Sequence, residues 1–418
     1  MVWFSIHGFF AICFLSFVLA QKYQKYGLKV LTDPSGCLAG QVCSIQPSIA
    51  VISVSSGEIA YSFQGSMYVN LATSPSGYEK LLLGSSGCGL SSCGMAVTNS
   101  IATVSIVNGI ASFSNLFFTT AGAGYSLKYV GLTPAHQPFG QTLSGSFAVS
   151  TGVPYKLVFE RSVGNSFGGQ PFSSNPIVGV ADRGGNVISS VNEGMITATL
   201  TTNPTHGLLC PSESLVVPVI NGFGNFSGLY INEAAEGYQI TFNTTIQGIY
   251  SITSLPFTVA VGAPAQLRFK NGTELSATKK FAGEYFQVPP TLLLYDAGGN
   301  FISTDSTSAI LVSIEQNPSS GSLLPLRNLF VTAKSGEVRF HAIKIDRYGF
   351  NYTLRFDLFN YSFAYSQFSP SNISVISEKF HVLHGFPKRV VLAERASGAW
   401  AGNEPLYNQP KLFLADGG

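Results

Sequence analysis

Charged side chains are scarce in this chain of 418 residues. Asp, Glu, Lys and Arg make up 11% of it, against about 25% in an average globular domain. The 23 Lys and Arg residues are nearly balanced by 21 Asp and Glu residues, which gives a formal net charge of +2. Recognition of nucleic acid needs a concentrated basic face, so the composition excludes that partner. Hydrophobic residues make up 45% of the chain, which also excludes disorder as the native state.

Signals for helices are few as well. No stretch shows a sustained apolar period of about 3.6 residues, and Lys and Glu, which favour helices, are rare. Glycine is abundant, with 44 residues, and Ser and Thr occur throughout the chain. This composition favours strands and turns, in a chain long enough for about three domains.

Motifs for catalysis and for cofactor binding are missing. Hydrolase elbows, phosphate loops and dinucleotide fingerprints need a Gly-rich turn between a strand and a helix. The Gly-Ser-Ser-Gly stretch at 84–87 has neither a Lys nor a helical pattern after it. The acidic residues are scattered, and the spacing of His381 and His384 places them on opposite faces of a strand end. We therefore expect a protein that is not an enzyme, with no catalytic residue, no metal site and no cofactor.

Long hydrophobic runs are confined to the N-terminus. Residues 1–20 contain an apolar run from Phe9 to Leu19, end at Ala20 and are followed by polar residues. This pattern predicts a secretory signal peptide, although Lys and Arg are missing before the apolar run. A buried strand or an uncleaved anchor is the alternative. No later run reaches the ~20 apolar residues of a membrane span. We therefore expect no other span and an extracellular location, secreted or at the cell surface.

Six Asn-x-Ser/Thr sequons follow, all of them after residue 220. Such sequences accept N-linked glycans on exposed segments of secreted proteins. Six sequons behind a signal peptide indicate a glycoprotein. The candidate sites are Asn225, Asn243, Asn271, Asn351, Asn360 and Asn372.

Four of the cysteines, Cys37, Cys43, Cys88 and Cys93, lie in Gly-rich segments of the first third of the chain. In a secretory compartment they predict two disulfides, for which three pairings exist. We favour 37–43 with 88–93, because each bond would pin its own loop, while the crossed pairing 37–88 with 43–93 would clamp two strand ends. A zinc site is the alternative, although structural zinc ligands are usually spaced more closely. Cys210 is left over, and we expect a buried free thiol there.

Internal repeats set the organisation of the chain. The pattern Phe-x-Val-x-x-Gly-x-Pro begins at Phe147, Phe257 and Phe380. Four anchors between the first two of these points recur 114 residues later: Pro176, Asp182, Phe226 and Tyr238 become Pro290, Asp296, Phe340 and Tyr352. A first unit repeats the end of this frame, with Phe113 and Tyr125, but lacks the Asp. These are tandem homologous domains.

The repeats predict domains at 21–152, 153–262 and 263–385. Residues 386–418 replay the opening of the frame, since Pro410 and Asp416 are again six residues apart. We expect this last segment to be the truncated start of a fourth repeat. A few strands of a sandwich cannot bury a core, so the sequence predicts that the chain is a fragment of a longer protein.

Each repeat has the pattern of an all-β domain. Short apolar runs such as Phe226–Ile231 and Tyr238–Phe242 predict strands, and turn signals recur every 8–12 residues, as in an immunoglobulin-like sandwich. The repeated Phe and Tyr anchors are expected in the core, the Tyr in a corner that bonds back to the chain. Asp182, Asp296 and Asp416 are expected to close structural turns through backbone N–H groups. Calcium is the alternative, but one Asp per loop is far from the six to eight oxygens that calcium takes.

The ordered frame resembles the bacterial Ig-like and invasin-type repeats of surface proteins. The resemblance rests on Gly169-Gln170, on Asp-x-Gly-Gly-Asn at 182–186 and 296–300, and on the Gly-Tyr pair at 237–238. It implies tandem Ig-like β-sandwiches in an extended array, outside the cell, with a structural or adhesive role. It implies no catalytic residues.

These observations predict a secreted or cell-surface glycoprotein that is a rod of Ig-like repeats and presents binding loops. Its partner would be a protein or a glycan on the cell surface or in the matrix. The alternative is a spacer ectodomain of a larger membrane receptor or enzyme, whose functional module lies beyond residue 418. An array of carbohydrate-binding modules is a third reading, which aromatic side chains exposed on one face would support.

Overall fold

The computed structural model describes residues 26–75, 82–83, 102–362, 367–398, 402 and 405–417. The predicted signal peptide, residues 1–20, and the predicted bond between Cys88 and Cys93 lie outside these residues. In the described part, the helical elements are short 3-10 turns: Ser212–Ser214, Leu275–Ala277 and Leu326–Asn328. No helix among the described residues is long and apolar enough to cross a membrane.

The first sandwich consists of two sheets that face each other across an apolar core. Its strands are β1 Tyr26–Thr32, β2 Cys37–Leu38, β3 Ser48–Ser53, β4 Gly65–Thr73, β5 Leu82–Leu83, β6 Ala102–Ile106, β7 Ile110–Ser112, β8 Leu116–Phe117, β9 Gly122–Leu132, β10 Pro138–Leu143 and β11 Phe147–Ser150. One sheet has the order β1-β3-β7, and the other has the order β2-β11-β9-β4-β6, with β10 paired to β9. The pair β2 and β11 is parallel.

The second sandwich repeats this arrangement. Its strands are β12 Lys156–Arg161, β13 Ser166–Phe167, β14 Ile177–Ala181, β15 Met195–Thr202, β16 Leu209–Cys210, β17 Val216–Pro218, β18 Phe223–Asn225, β19 Tyr230–Ile231, β20 Ala235–Thr244, β21 Ile252–Thr253 and β22 Phe257–Ala260. The sheet orders are β12-β14-β18 and β13-β22-β20-β15-β17, with β21 paired to β20.

The third sandwich has the same topology again. Its strands are β23 Gln266–Phe269, β24 Lys280–Phe281, β25 Thr291–Tyr295, β26 Ala309–Gln316, β27 Leu323–Leu324, β28 Phe330–Thr332, β29 Glu337–Arg339, β30 Lys344–Ile345, β31 Gly349–Ser362, β32 Gln367–Ile376 and β33 Phe380–Leu383. A final antiparallel pair, β34 Arg389–Glu394 and β35 Lys411–Ala415, corresponds to the first two paired strands of each sandwich.

Strand periodicity explains where the cores lie. Along β20, the side chains of Tyr238, Ile240 and Phe242 are fully buried, and the residues between them are more exposed. Alternate residues of a strand point to the same face, so these three side chains meet Val178 and Val180 of the opposite sheet in one cluster. Burial of each such side chain stabilises the fold by about 1.5–3 kcal/mol. The chain is therefore all-β, with tandem Ig-like sandwiches, as its sequence predicts.

Strand direction decides which loops share an end of a sandwich. Because β12 and β14 are antiparallel, the loop that follows β14 lies beside the start of β12, at the N-terminal end. The loops after β13 and before β20 lie at the C-terminal end, beside the end of β22. Each C-terminal end therefore faces the N-terminal end of the next sandwich.

Two local predictions were wrong. Residues 226–231 do not form one strand, because Gly228 adopts a left-handed conformation with φ of 68° and only Tyr230–Ile231 is extended and paired. Cys210 is a free thiol but is half-buried rather than buried. It lies on a two-residue strand that pairs only with β19, away from the main sheets of the sandwich.

Candidate functional site: the joint between neighbouring sandwiches

A repeated joint connects each sandwich to the next. We use the term plug for the Asp-x-Gly-Gly-Asn turn at the N-terminal end of a sandwich, residues 182–186 and 296–300. The socket consists of two loops at the C-terminal end of the preceding sandwich. These loops are residues 39–41 and 118–121 in the first sandwich, and residues 168–170 and 231–234 in the second.

The aspartate of the plug binds two parts of the chain at once. Oδ1 of Asp182 accepts hydrogen bonds from the N–H groups of Gly185, at 2.9 Å, and Asn186, at 3.0 Å, which closes the turn. Oδ2 accepts a bond of 2.9 Å from the N–H of Gly152, in the linker from the first sandwich. Asp182 is fully buried, and a buried carboxylate is tolerated only when such donors satisfy it.

The same bond recurs at the other two joints. Oδ2 of Asp296 accepts the N–H of Gly262 at 2.9 Å. Oδ2 of Asp416 accepts the N–H of Gly385 at 2.8 Å, between the third sandwich and the pair β34–β35. A hydrogen bond to a charged group contributes about 1.5–3 kcal/mol. Each linker is therefore fixed to the sandwich that follows it.

The asparagine of the plug reaches back into the socket. Nδ2 of Asn186 donates to the carbonyl of Thr119 at 2.6 Å, and its Oδ1 accepts the N–H of Ala121 at 3.0 Å. This side chain therefore bonds to a backbone carbonyl and a backbone N–H of the same socket loop. The second joint repeats the two bonds at 2.7 and 2.9 Å, with Asn300, Asn232 and Ala234.

Glycines permit the close approach of plug and socket. Gly40 has a left-handed φ of 75°, and a Cβ there would lie 2.3 Å from the amide nitrogen of Gly184. A Cβ on Gly184 would lie 2.1 Å from the carbonyl oxygen of Thr119, and one on Gly298 would lie 2.0 Å from that of Asn232. Both sides of the joint thus require glycine for backbone-to-backbone contact.

A tyrosine corner holds the second socket loop in each sandwich. The three hydroxyl groups donate to the carbonyl five residues earlier, at 2.7, 2.9 and 3.1 Å, and all three tyrosines are fully buried. The corner therefore fixes the loop whose carbonyl groups receive the plug. The pairs are Tyr125 with Thr120, Tyr238 with Glu233 and Tyr352 with Arg347. This is the corner that the sequence predicts.

The base of the first socket loop differs among the three sandwiches. The equivalent buried positions are Cys37, Ser166 and Lys280, each paired with the same strand of its sandwich. Cys37 forms a disulfide with Cys43 across a six-residue separation, so the first socket loop is tied at both ends. The Oγ of Ser166 has no hydrogen-bond partner.

Lys280 occupies this position in the third sandwich. Its Nζ donates to the carbonyl of Thr278 at 2.8 Å and to the Oγ1 of the same residue at 2.7 Å. The ammonium also lies 5.8 and 5.9 Å from the ring centroids of Phe286 and Phe380, within the range of a cation–π contact. Burial lowers the pKa of Lys280 to about 8.

The structure settles part of the predicted disulfide pattern. The bond between Cys37 and Cys43 is present, so the crossed pairing of these two residues with Cys88 and Cys93 was wrong. It was wrong because residues 37 and 43 flank one tight loop, with their Cα atoms 4.1 Å apart.

The predicted glycan acceptors lie on exposed positions wherever their side chains are described. Five asparagines are exposed: Asn225, Asn243, Asn271, Asn351 and Asn372. The backbone of Asn360 belongs to β31, and its side chain is outside the described part.

The turn aspartates bind N–H groups rather than a cation. The oxygens of Asp182 and Asp296 face donors from the turn and the linker, which leaves them unsuited to calcium. Among the described residues, no three His, Cys, Asp or Glu side chains are grouped to hold a metal. His381 accepts the N–H of Asn351, and His384 stacks on Tyr348, so the two histidines share no ligand.

The joint itself was not predicted. The local motif predicts a turn around each aspartate and gives no indication of a bond to the linker glycine. The signal was present, because each linker glycine precedes its aspartate by a similar separation: 30, 34 and 31 residues. Two motifs that recur together at a similar distance in every repeat indicate a shared structural role.

No protein-family model matches the chain, and no curated protein matches it in sequence. Among solved structures, it is similar to FdeC, an Escherichia coli adhesin, at 12% identity over 85% of this chain and 96% of that chain, with a TM-score of 0.28. It is also similar to the FN1–FN3 domains of chicken CNTN1, at 10% identity over 84% and 99%, with a TM-score of 0.27. The match to a β-glycosidase from Bacteroides vulgatus, at 9% identity and a TM-score of 0.20, covers 56% of this chain and 25% of that one. At these TM-scores the likenesses carry no argument about activity or partners.

Proposed function

We propose that this chain is an extracellular, non-enzymatic rod with a structural or adhesive role, whose joints hold successive sandwiches in line. The observation that carries the proposal is the shared carboxylate of the plug, which binds its own turn and the preceding linker at Asp182 and Asp296. The linker bond recurs at Asp416. Domains of one chain move freely unless their interface is extensive or tightly bonded. Fixed joints suit a protein that carries a binding surface at a distance.

Three further features support an extracellular location. The Cys37–Cys43 bond suits an oxidising compartment. Five sequons have exposed asparagines, as glycan transfer requires. Residues 1–20 have the pattern of a signal peptide. Glycans on the second and third sandwiches would supply the solubility that the few charged residues do not.

Expression of the full chain in cultured eukaryotic cells tests this location. We expect the chain to be exported to the medium or the cell surface, with N-terminal residues removed and a mass that falls on treatment with an N-glycan endoglycosidase. Asn243→Gln should remove one step of that mass change, and Asn203→Gln, which lies outside a sequon, should remove none. A chain that stays in the cytosol without glycans would contradict the proposal.

A further inference from the structure

The N-terminal end of the first sandwich differs from those of the other two. At the position of the plug aspartate it has Ser53, whose N–H donates to the carbonyl of Glu58, as the N–H of Asp182 donates to that of Asn186. Neither the carboxylate nor the amide of the plug is present there. This end is therefore not built to enter a socket of the type seen at the joints.

A pocket of about 600 Å³ opens at this end. Its walls come from the loop between β3 and β4, the turn between β6 and β7, and the turn between β9 and β10. Phe63 is buried at the base, where it packs against Tyr26 and Phe139 with ring centroids 5.0 and 4.7 Å away. The volume falls within the ~300–1,000 Å³ of small-ligand sites, on a floor fixed by aromatic packing.

The lining of the pocket is rich in hydrogen-bonding groups. Among the described residues, no Asp, Glu, Lys or Arg lines it, and His136 contributes an imidazole. Tyr61 is 67% exposed at its edge and offers a ring face. Six lining residues have hydroxyl or amide side chains, and each can donate and accept: Ser62, Gln64, Ser66, Ser105, Asn108 and Thr133. The lining also includes the apolar residues Ile106, Val107 and Pro134.

One of these groups has an unmet hydrogen-bonding requirement. The Oγ of Ser66 is buried and has no hydrogen-bond partner. A buried hydroxyl without a partner destabilises the fold, and a ligand hydroxyl that bonds to it would remove that cost. The lining therefore contains a polar group that the fold alone leaves unsatisfied.

The distribution of sequons separates this sandwich from the others. All six lie at or after Asn225, and residues 26–150 contain none. Glycans would cover the flanks of the second and third sandwiches and leave the first one bare. A bare end at one extremity of the described array is a suitable position for recognition.

We propose that the pocket of the first sandwich binds an uncharged oligosaccharide. The apolar face of a sugar ring would stack on Tyr61, and its hydroxyl groups would bond to Ser66 and the neighbouring amides and hydroxyls. A lining without Lys or Arg provides no permanently charged partner for the carboxylate of an acidic sugar, and one without Asp or Glu provides none for a basic peptide. The inference rests on the proposed extracellular role, since such ligands are displayed outside cells.

Binding of the full-length secreted chain to a printed array of neutral and sialylated oligosaccharides tests this proposal. We expect binding to neutral members of the array, and Tyr61→Ala should weaken it at least tenfold without changing the thermal unfolding midpoint, because the side chain is exposed. Tyr407→Ala is the matched control, since Tyr407 is 84% exposed on the segment between β34 and β35 and should leave binding unchanged. Ser66→Ala should weaken binding several-fold while stability is kept or increased.

Each opposite result overturns the proposal. These results are an array with no bound chain, binding confined to sialylated members, binding that survives Tyr61→Ala, or binding that Tyr407→Ala lowers equally. If the chain is exported and glycosylated but binds no glycan, the binding site is refuted and the extracellular location stands.

Discussion

A single carboxylate at each joint connects local and long-range structure. Oδ1 of Asp182 accepts a hydrogen bond from its own turn, and Oδ2 accepts one from the linker glycine 30 residues earlier. The burial of this charge is compatible with folding because each oxygen meets N–H donors. The residue therefore converts a common β-turn into an attachment point between sandwiches.

Asp182→Asn tests whether the two carboxylate oxygens have these separate roles. The variant keeps an acceptor for the turn but presents an amide N–H₂ to the N–H of Gly152, so the linker bond is lost at a cost of about 1–3 kcal/mol. We expect hydrogen exchange of the Gly152 amide to become roughly tenfold to hundredfold faster.

The control is Asp305→Asn, which alters a turn carboxylate bonded to Thr307 and Ser308. It should leave exchange at Gly152 unchanged. Equal exchange at Gly152 in the wild type and in Asp182→Asn would show that the linker bond carries no free energy.

Lys280 makes the stability of the third sandwich depend on pH in a specific range. Burial lowers its pKa from 10.5 to about 8 in the folded chain, so between these values the unfolded chain binds more protons than the folded chain. Stability linked to this group therefore rises as the pH rises from 8 towards 10.5 and is constant below that window.

Urea denaturation at pH 7, 8.5 and 10 measures this effect. From pH 8.5 to pH 10, we expect the free energy of unfolding of the wild type to increase relative to that of Lys280→Met. The comparison cancels the titration of tyrosines and other groups that both proteins share. Parallel pH profiles for the two proteins would contradict the assignment.

At the scale of elements, the tyrosine corner supports the socket. The hydroxyl of Tyr238 donates to Glu233 and also lies 2.6 Å from that of Thr205. We expect Tyr238→Phe to destabilise the second sandwich by about 1–2 kcal/mol, which lowers its thermal midpoint by several degrees. Tyr250→Phe, at a position 59% exposed, is the control and should have no effect. Calorimetry of the full chain measures the thermal midpoints of both variants. Equal midpoints for the wild type and Tyr238→Phe would show that the hydroxyl bonds of Tyr238 do not stabilise the sandwich.

The strands and the corner could be predicted from the sequence because their signals are local. Tyr238, Ile240 and Phe242 alternate with polar residues, and Tyr125, Tyr238 and Tyr352 recur at fixed places in a repeat. The strand proposed at 226–231 failed because a glycine in the middle of an apolar run, Gly228, turns the backbone.

The joint could not be predicted in the same way. Its bonds join residues about 30 positions apart, and the Gly-Gly of the plug has the pattern of an ordinary hairpin turn. Only the fold shows that Gly184 touches the carbonyl of Thr119. The pocket was also missed, since its lining comes from three loops with no shared motif.

At the scale of the whole molecule, the joints determine whether the chain is a rod or a flexible string. Each sandwich has its socket at one end and its N-terminal loops at the other, so the described units follow one another in line. Gly184 and Gly298 are the most direct probes of this arrangement. Their φ angles are outside the left-handed region, so alanine is compatible with the backbone conformation. The new Cβ would clash with a carbonyl oxygen of the preceding sandwich in both cases, and at Gly184 it would also lie 2.8 Å from Nδ2 of Asn186, which itself bonds to that sandwich.

Small-angle X-ray scattering of the full chain measures whether the joints hold the sandwiches in line. We predict a narrow distribution of long interatomic distances for the wild type, and a shorter mean length with a broader distribution for the double variant Gly184→Ala, Gly298→Ala. Gly140→Ala, where the nearest atom to the new Cβ lies 3.7 Å away, should match the wild type. If the double variant scatters like the wild type, the joints do not hold the sandwiches in line.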